Sequence, residues 1–166
     1  LQASLIATGF DRVYAADLGP ERCLQAQAEA LARFVDRVAQ ACELGRHSLD
    51  LVAHSTGGLV ARLFLQARGA ARVDRCITLA TPHSGSRSPT WLPSGLSAQL
   101  QPDSAFLRSL NDPNRRAPGV RFSSLWAERD LAVLPPDAAV YPEGESICIE
   151  GIGHLGILCH PEALRQ

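Results

Sequence analysis

A serine flanked by small residues is the first candidate for chemistry in this chain. Ser55 lies in LVAHSTGGLVARL, residues 51–63, where an apolar run gives way to a helical pattern. A serine hydroxyl becomes a nucleophile when a base takes its proton and a sharp strand-to-helix turn exposes it. Such a turn favours small residues two positions before and after the serine, here Ala53 and Gly57. The pattern predicts a nucleophile elbow; the alternative is that Gly57 and Gly58 only let a helix pack closely on a sheet.

The helix that follows Ser55 is expected to contribute to the same chemistry. The first N–H groups of a helix have no partner within it, and its dipole places partial positive charge there. The backbone N–H of Thr56 is therefore the predicted donor to an oxyanion formed at the carbonyl under attack. His54 also belongs to the elbow, but we expect its side chain to point elsewhere.

The base for Ser55 must come from one of five histidines, and His154 fits best. In parallel α/β enzymes with a serine elbow, the serine, the acid and the histidine follow one another along the chain, past different strand ends. His154 follows the last apolar strand, in the glycine-flanked loop GIGHLG. The other four precede or adjoin the serine, leave no room for an acid, or lie near a helix start: His47, His54, His83 and His160.

Several carboxylates are candidates to orient that base. Asp130 ends the strand-like run RFSSLWAERD and comes shortly before two prolines, where an orienting carboxylate is expected. Its rivals lie in the same loop or in the irregular stretch before it, and those in the irregular stretch fit less well: Glu128 and Asp137, then Asp103 and Asp112.

Alternating strands and helices would position these side chains. Apolar runs predict buried strands at 12–18, 48–53, 75–83, 120–130 and 146–154. Apolar residues at steps of three and four predict helices over 24–42 and 57–68, and a short helix is expected at 104–110. Strands that alternate with helices favour a parallel sheet with right-handed crossovers.

Composition narrows the class of protein. The chain has 166 residues, of which 46% are apolar and 20% charged, as in a single globular domain. A net charge of -1 gives no reason to expect nucleic acid as a partner, and no apolar run has the length of a membrane span. Five widely spaced cysteines favour neither a disulfide framework nor a zinc site. Because the chain begins at Leu1 and has no methionine, we expect it to be N-terminally incomplete.

Five segments, in order along the chain, resemble one family. LVAHSTGGLVAR resembles the elbow, ITLATPHSGS the segment after the next strand, and LQPDSAFLRSLN part of the insert of α/β-hydrolase lipases and esterases, in particular the bacterial, triacylglycerol-lipase-like group. DLAVLP is similar to the family's acid loop, which selects Asp130 over Glu128, and GIGHLGIL to its histidine loop. The resemblance covers nearly the whole chain. It implies an α/β-hydrolase fold, which has a mostly parallel sheet with helices on both faces, and we expect this chain to lack the N-terminal strands of that fold.

The resemblance also implies an activity. Carboxylic esters, lipid or acylglycerol esters among them, would be hydrolysed through an acyl-enzyme by Ser55, His154 and Asp130, without metal or organic cofactor. It implies a small-molecule ester or lipid substrate and transient contact with a lipid interface. Secretion or a periplasmic location is compatible with the resemblance, and the sequence leaves the location open. The alternatives are a non-catalytic binding module of the same fold and an acyltransferase that uses the same triad.

Two regions depart from the family pattern or interrupt the alternation. The H-G segment that supplies the family's second oxyanion donor has no counterpart before residue 12, so we expect it upstream of Leu1. Residues 84–120 contain five prolines and are expected to form an insert or lid-like segment within a single domain, residues 1–166. The apolar residues of this insert would line an acyl pocket or pack on the core: Trp91, Leu92, Leu96, Leu100, Phe106 and Leu107.

Overall fold

A parallel sheet is the framework of the molecule. The computed structural model of the protein describes residues 1–19, 23–87 and 94–165. Within these ranges all neighbouring strands pair in parallel, in the order β1-β2-β3-β4, as the alternation of elements predicted. The strands are β1 (Leu49–His54), β2 (Val73–Leu79), β3 (Arg121–Ala127) and β4 (Glu145–Ile149).

The predicted helices form before β1 and between the strands. The described helices are α1 (Gln2–Ala7), α2 (Leu24–Ala41), α3 (Thr56–Phe64), α4 (Ser94–Gln99) and α5 (Ala105–Leu110). A π-helical turn, Leu65–Gly69, continues α3 to one residue past its predicted end. Ser104 caps α5, since its hydroxyl accepts a hydrogen bond from the N–H of Leu107 at 3.2 Å. Among the described residues no helix is both long enough and apolar enough to span a membrane.

Both faces of the sheet are covered, as a parallel sheet requires. On one face α2 and α3 bury a cluster that includes Val35, Leu59 and Phe64 against Cys76 of β2. On the other face Leu125 and Ile149 pack with Ile157, and Leu1 before α1 contacts the same cluster. The strands are therefore held from two sides, and their carboxyl ends meet at one edge of a rigid layer.

Residues 12–18 do not form the predicted strand. They run without sheet pairing, and Tyr14 is 52% exposed. Gln2 donates to the carbonyl of Val13 and the Tyr14 hydroxyl bonds to Cys42, while Leu18 at the end of the segment packs against the cluster of α2 and α3. A β-branched and aromatic run becomes a strand when a neighbouring strand and a buried face receive it. This segment has neither in the described chain, so the strand prediction was wrong.

The described apolar side chains of the insert pack into the cluster that α2 and α3 form against β2. Leu100, Leu107 and Leu110 are buried among α2 and α3, and Leu96 and Phe106 pack against the same cluster. Trp91 and Leu92 lie outside the described residues. Packing on the core, the second of the two predicted roles, therefore accounts for the apolar side chains that are described.

Candidate active site

The candidate active site forms where three strands end. Ser55 directly follows β1, Asp130 comes three residues after β3, and His154 comes five residues after β4. Strands β1 and β4 are the two edges of the described sheet, so three strand spacings of about 4.8 Å separate them. The loop after β4 must therefore return across the ends of β3 and β2 to reach the serine.

Ser55 occupies the sharp turn that its flanking residues predicted. Its backbone has φ 55° and ψ -133°, a conformation that side chains other than glycine adopt at a cost of about 1–3 kcal/mol. Two hydrogen bonds hold the turn, from the Ser55 N–H to the carbonyl of Leu79 at 2.9 Å and from the Gly58 N–H to the carbonyl of Ser55 at 3.1 Å. Helix α3 begins at Thr56, so the N–H of this residue lies in the unpaired first turn.

The steric demand of the elbow lies one residue later than predicted. A Cβ on Gly57 would meet nothing within 4 Å outside the neighbouring backbone, so no collision across the turn requires glycine there. A Cβ on Gly58 would lie 2.1 Å from Oγ1 of Thr81, which is fully buried and follows β2. The role proposed as the alternative to the elbow, close packing of helix on sheet, therefore belongs to Gly58. Close packing at Gly58 and the sharp turn at Ser55 therefore occur together in this structure.

A continuous chain of hydrogen bonds joins the three predicted residues. Nε2 of His154 lies 3.0 Å from Oγ of Ser55, and Nδ1 lies 2.8 Å from Oδ2 of Asp130. Because a carboxylate only accepts, Nδ1 carries the proton of the neutral ring, and Nε2 accepts the serine O–H. The His154 side chain is 13% exposed, so the ring is enclosed but still reaches solvent.

Asp130 is held as a charged acceptor. Its Oδ1 accepts from the N–H groups of Ala132 and Val133 at 2.8 and 2.9 Å, while Oδ2 faces His154. Burial by itself raises the pKa of Asp130, but the hydrogen bonds from His154 and the two amides outweigh burial and hold the pKa below its ordinary value. Ser86 fastens the same loop, accepting from Leu134 and donating to the carbonyl of Ala132.

The rival carboxylates have other contacts. Glu128 accepts from the N–H of Gly151 at 2.8 Å and so supports the histidine loop from its base. Asp137 and Asp103 are exposed, and Asp112 accepts from the N–H of Asn114 in a turn of the insert. Among the described carboxylates, Asp130 is the one hydrogen-bonded to His154.

His54 does not point away from the site as expected. Its Nε2 lies 3.0 Å from the backbone carbonyl of His154, and the two rings are 4.7 Å apart with an angle of 51°. Burial lowers the pKa of His54 below its ordinary value, and the bond to that carbonyl opposes the effect in part. The neutral ring must therefore donate from Nε2, because the carbonyl can only accept. Sequence reasoning missed this contact, which depends on the path of a loop 100 residues away.

A second buried polar cluster lies under the insert. We call it the Arg62 cluster; its members are Arg62, Thr78, His83, Asn111 and Tyr141. Arg62 of α3 donates to Nδ1 of His83 at 3.3 Å and to Oδ1 of Asn111 at 2.7 Å, and its guanidinium lies 4.5 Å from the ring centre of Tyr141. It also donates to the carbonyl of Leu110 at 2.9 Å, the last residue of α5. Burial and the Arg62 charge hold the pKa of His83 well below its ordinary value.

The remaining histidines and the cysteines lie elsewhere. His47 is bonded to the carbonyl of Val73 at the opposite end of the sheet, and His160 lies in the turns that follow the histidine loop. All five cysteines, which lie within the described ranges, are free. In the same ranges no group of three or more His, Cys, Asp or Glu side chains is placed to hold a metal ion.

A cavity of about 530 Å³ opens beside α5, away from this site. Polar and charged residues and one leucine form its wall, among them Ser84, Asp103, Leu107, Arg108 and Asn111. Neither Ser55, Asp130 nor His154 belongs to that wall.

The architecture defines the class of protein. A parallel sheet covered on both faces, with a serine elbow after one strand, is an α/β-hydrolase fold. A family model described as PGAP1-like alpha/beta domain matches residues 7–91, slightly more than half of the chain, and the chain belongs to this family. The matched region contains Ser55 but neither Asp130 nor His154. A search of curated protein sequences finds no match.

Solved structures with the same fold include lipases and esterases. Lipase B of Aspergillus fumigatus has a TM-score of 0.69 at 16% identity, covering 90% of this chain and 42% of that one. Lipase BlEst2 of Bacillus licheniformis in its mature form has a TM-score of 0.67 at 20% identity, covering 83% and 70%. The metagenomic carboxyl esterase MGS0156 has a TM-score of 0.59 at 19% identity, covering 86% and 54%. At these identities the likeness establishes the fold, and the chain spans less than half of the Aspergillus lipase.

Proposed function

We propose that this chain carries the active centre of a serine hydrolase that cleaves carboxylic esters. The observation that carries the proposal is the unbroken series of hydrogen bonds from Asp130 through His154 to Ser55, which stands on a strained turn. A nucleophile, a base and an orienting acid in that relation define acyl transfer through a covalent intermediate. The lipase and esterase neighbours agree with this chemistry at the level of the fold.

The proposed reaction has two halves. In the first, Oγ of Ser55 bonds to the ester carbonyl carbon while its proton passes to Nε2 of His154. The alkoxide then leaves with that proton as an alcohol, and Ser55 carries the acyl group. In the second half, water attacks the acyl carbon, gives its proton to Nε2, and the carboxylic acid departs as that proton returns to Oγ. Throughout, Asp130 accepts from Nδ1 and stabilises the imidazolium.

The negative oxygen formed in each half needs hydrogen-bond donors. We assign the backbone N–H of Thr56 as one donor, because it lies next to the nucleophile in the first turn of α3. Each such donor is worth about 10²–10³ in rate. The rate of this chain therefore depends strongly on how many donors the bound substrate meets.

The surroundings of the site favour an ester with an apolar part. Leu131 directly follows Asp130 and is 80% exposed, and Leu155 directly follows His154 and is 69% exposed. Covering apolar side chains that are exposed to water with an apolar group lowers the free energy by about 25 cal/mol per Å². We therefore propose lipid or acylglycerol esters as the substrate class, with transient contact to a lipid interface.

Covalent labelling tests the proposal without requiring the natural substrate. A fluorophosphonate phosphonylates an activated serine, and peptide mass spectrometry locates the label. We expect label on the peptide that contains Ser55, and loss of that label in Ser55→Ala. Ser84→Ala is the matched control, since Ser84 is an exposed serine elsewhere on the chain and its loss should leave the labelling rate unchanged.

Two results would contradict the proposal. Label at serines other than Ser55, equal in the wild type and Ser55→Ala, would mean that Ser55 is not activated. A folded wild-type chain that takes no label would instead favour a non-catalytic binding module of the same fold. If Ser55 is labelled, a series of p-nitrophenyl esters of increasing acyl length tests the substrate class, and kcat/KM should rise with acyl length.

A further inference from the structure

The histidine loop spans the width of the described sheet, and its own sequence constrains its backbone only weakly. It leaves β4 at one edge of the described sheet and must place His154 beside Ser55 at the other. Its segment GIGHLG holds three glycines, and Gly151 has φ 73°, a conformation that favours glycine. A loop of this kind needs contacts at its far end if the base is to keep one position.

Most of the loop's backbone contacts lie near β3. The N–H of Gly151 donates to Glu128 at 2.8 Å, and the carbonyl of Ile152 accepts from the N–H of Arg129 at 2.9 Å. Both contacts hold the start of the loop. The bond from Nε2 of His54 is different, because it is made to the carbonyl of His154 itself and comes from β1, the strand that carries Ser55.

We infer that His54 is a positioning residue that ties the base to the nucleophile strand. Its Nε2–H donates to the His154 carbonyl at 3.0 Å, and its ring packs on the His154 ring at 4.7 Å. Ser55 and His54 are adjacent in sequence, so one strand end fixes the hydroxyl and the backbone of its base together. His54 acts through His154 and makes no contact with the reacting atoms.

The neutral state of His54 fits this role. Burial lowers its pKa, so the ring next to His154 is uncharged when His154 takes a proton from Ser55. A second cation 4.7 Å away would oppose that transfer, since like charges at this distance repel strongly in a partly buried site. His54 therefore holds the loop as a hydrogen-bond donor without placing a second positive charge beside the imidazolium of His154.

Two substitutions of similar size separate donation from packing. His54→Gln keeps an N–H donor of comparable reach, whereas His54→Leu keeps the bulk and removes the donor. We expect His54→Leu to lose about tenfold or more in kcat for a p-nitrophenyl ester, with KM unchanged, since about 1.4 kcal/mol in the barrier is tenfold in rate. The kcat of His54→Gln should stay within about threefold of wild type. The midpoints of thermal unfolding of the two variants should differ little. Equal rates in both variants, whether reduced or unchanged, would overturn the inference.

A second measurement does not depend on the proposed hydrolase activity. Hydrogen exchange followed by mass spectrometry reports the opening of the loop peptide that contains residues 150–156. Its exchange should be faster in His54→Leu than in wild type and nearly unchanged in His54→Gln. Unaltered exchange in His54→Leu would contradict the proposed role of the bond from His54 to the loop, even if Ser55 takes no fluorophosphonate label. Failure of the proposed function is recognised separately, by absence of label on wild-type Ser55.

Discussion

Two histidines in this molecule have similar hydrogen-bonding surroundings but neighbours of opposite charge. His154 and His83 each follow a strand, each contact a hydroxyl at 3.0 Å, and each belong to a polar cluster. His154 faces the carboxylate of Asp130 at Nδ1, whereas His83 accepts from the cation of Arg62 at the same nitrogen. The sign of one neighbouring charge separates the two sites.

The consequence is an opposite tautomer. In His154 the proton lies on Nδ1, and the lone pair of Nε2 faces the Ser55 hydroxyl. In His83 Nδ1 accepts from Arg62, so Nε2 carries the proton and donates to Thr78, whose hydroxyl can donate to the carbonyl of Ser123. A further proton on His83 would displace a buried cation, and the ring is 1% exposed. In the proposed function His154 takes the serine proton, whereas His83 is held neutral.

The largest expected effect comes from one substitution made at both histidines. His154→Gln should slow fluorophosphonate labelling of Ser55 by about 10⁴-fold or more, because the nucleophile loses its base. His83→Gln should leave the rate per folded molecule within about threefold, because an amide can accept from Arg62 and donate to Thr78. The measurement is the second-order rate constant of labelling, with circular dichroism as the check on folding. Comparable losses at both positions would show that the two clusters are not functionally distinct.

The Arg62 cluster should instead govern stability. Arg62→Met removes the donor to Nδ1 of His83 and to Oδ1 of Asn111, and one of the two donors to the carbonyl of Leu110, which keeps its bond from Gln66. We expect the free energy of unfolding to fall by about 2–4 kcal/mol, while the labelling rate per folded molecule is unchanged. Arg68→Met is the control, since this arginine is exposed and its loss should cost less than about 0.5 kcal/mol. A stable Arg62→Met protein with slow labelling would assign the cluster to catalysis.

The smallest effect is a pH dependence of stability. The pKa of His83 lies well below its ordinary value of about 6.5 in the folded protein, so below that pH the unfolded chain binds a proton that the folded chain does not. Stability therefore falls as the pH falls, by at most about 1.4 kcal/mol from this group at pH 5.5. His54, whose pKa is also lowered, adds a loss of stability of the same sign, and it does so in wild type and in the His83→Gln variant used below.

His83→Gln isolates the contribution of His83. Urea unfolding at pH 7 and pH 5.5 should give a smaller loss in the variant than in wild type. Asp130 contributes in a more acidic window, because its ordinary pKa is near 3.8 and its folded value is lower. Identical pH dependence in the two proteins would mean that His83 is not held neutral by the cluster.

Local pattern was sufficient for much of the fold. The apolar periodicity of α2 and the short apolar runs of β1 to β4 predicted which elements form, and all four strands lie at the predicted places, although β2, β3 and β4 end four, three and five residues earlier than predicted. Residues 12–18 were mispredicted because β-propensity alone does not make a strand, and no neighbouring strand receives them in the described chain. The catalytic roles of Ser55, Asp130 and His154 came from chain order and loop type, and they stay predictions for labelling to test.

What the amino-acid sequence determined by itself is the set of reactive groups and the strand ends on which they lie, because both are local properties of short segments. Tertiary structure alone decided how those groups meet. The collision that makes Gly58 necessary involves Thr81 on another strand end, and the bond from His54 depends on a loop that crosses the sheet. Distances between segments far apart in the chain are set by packing of the whole sheet, and no local pattern contains them.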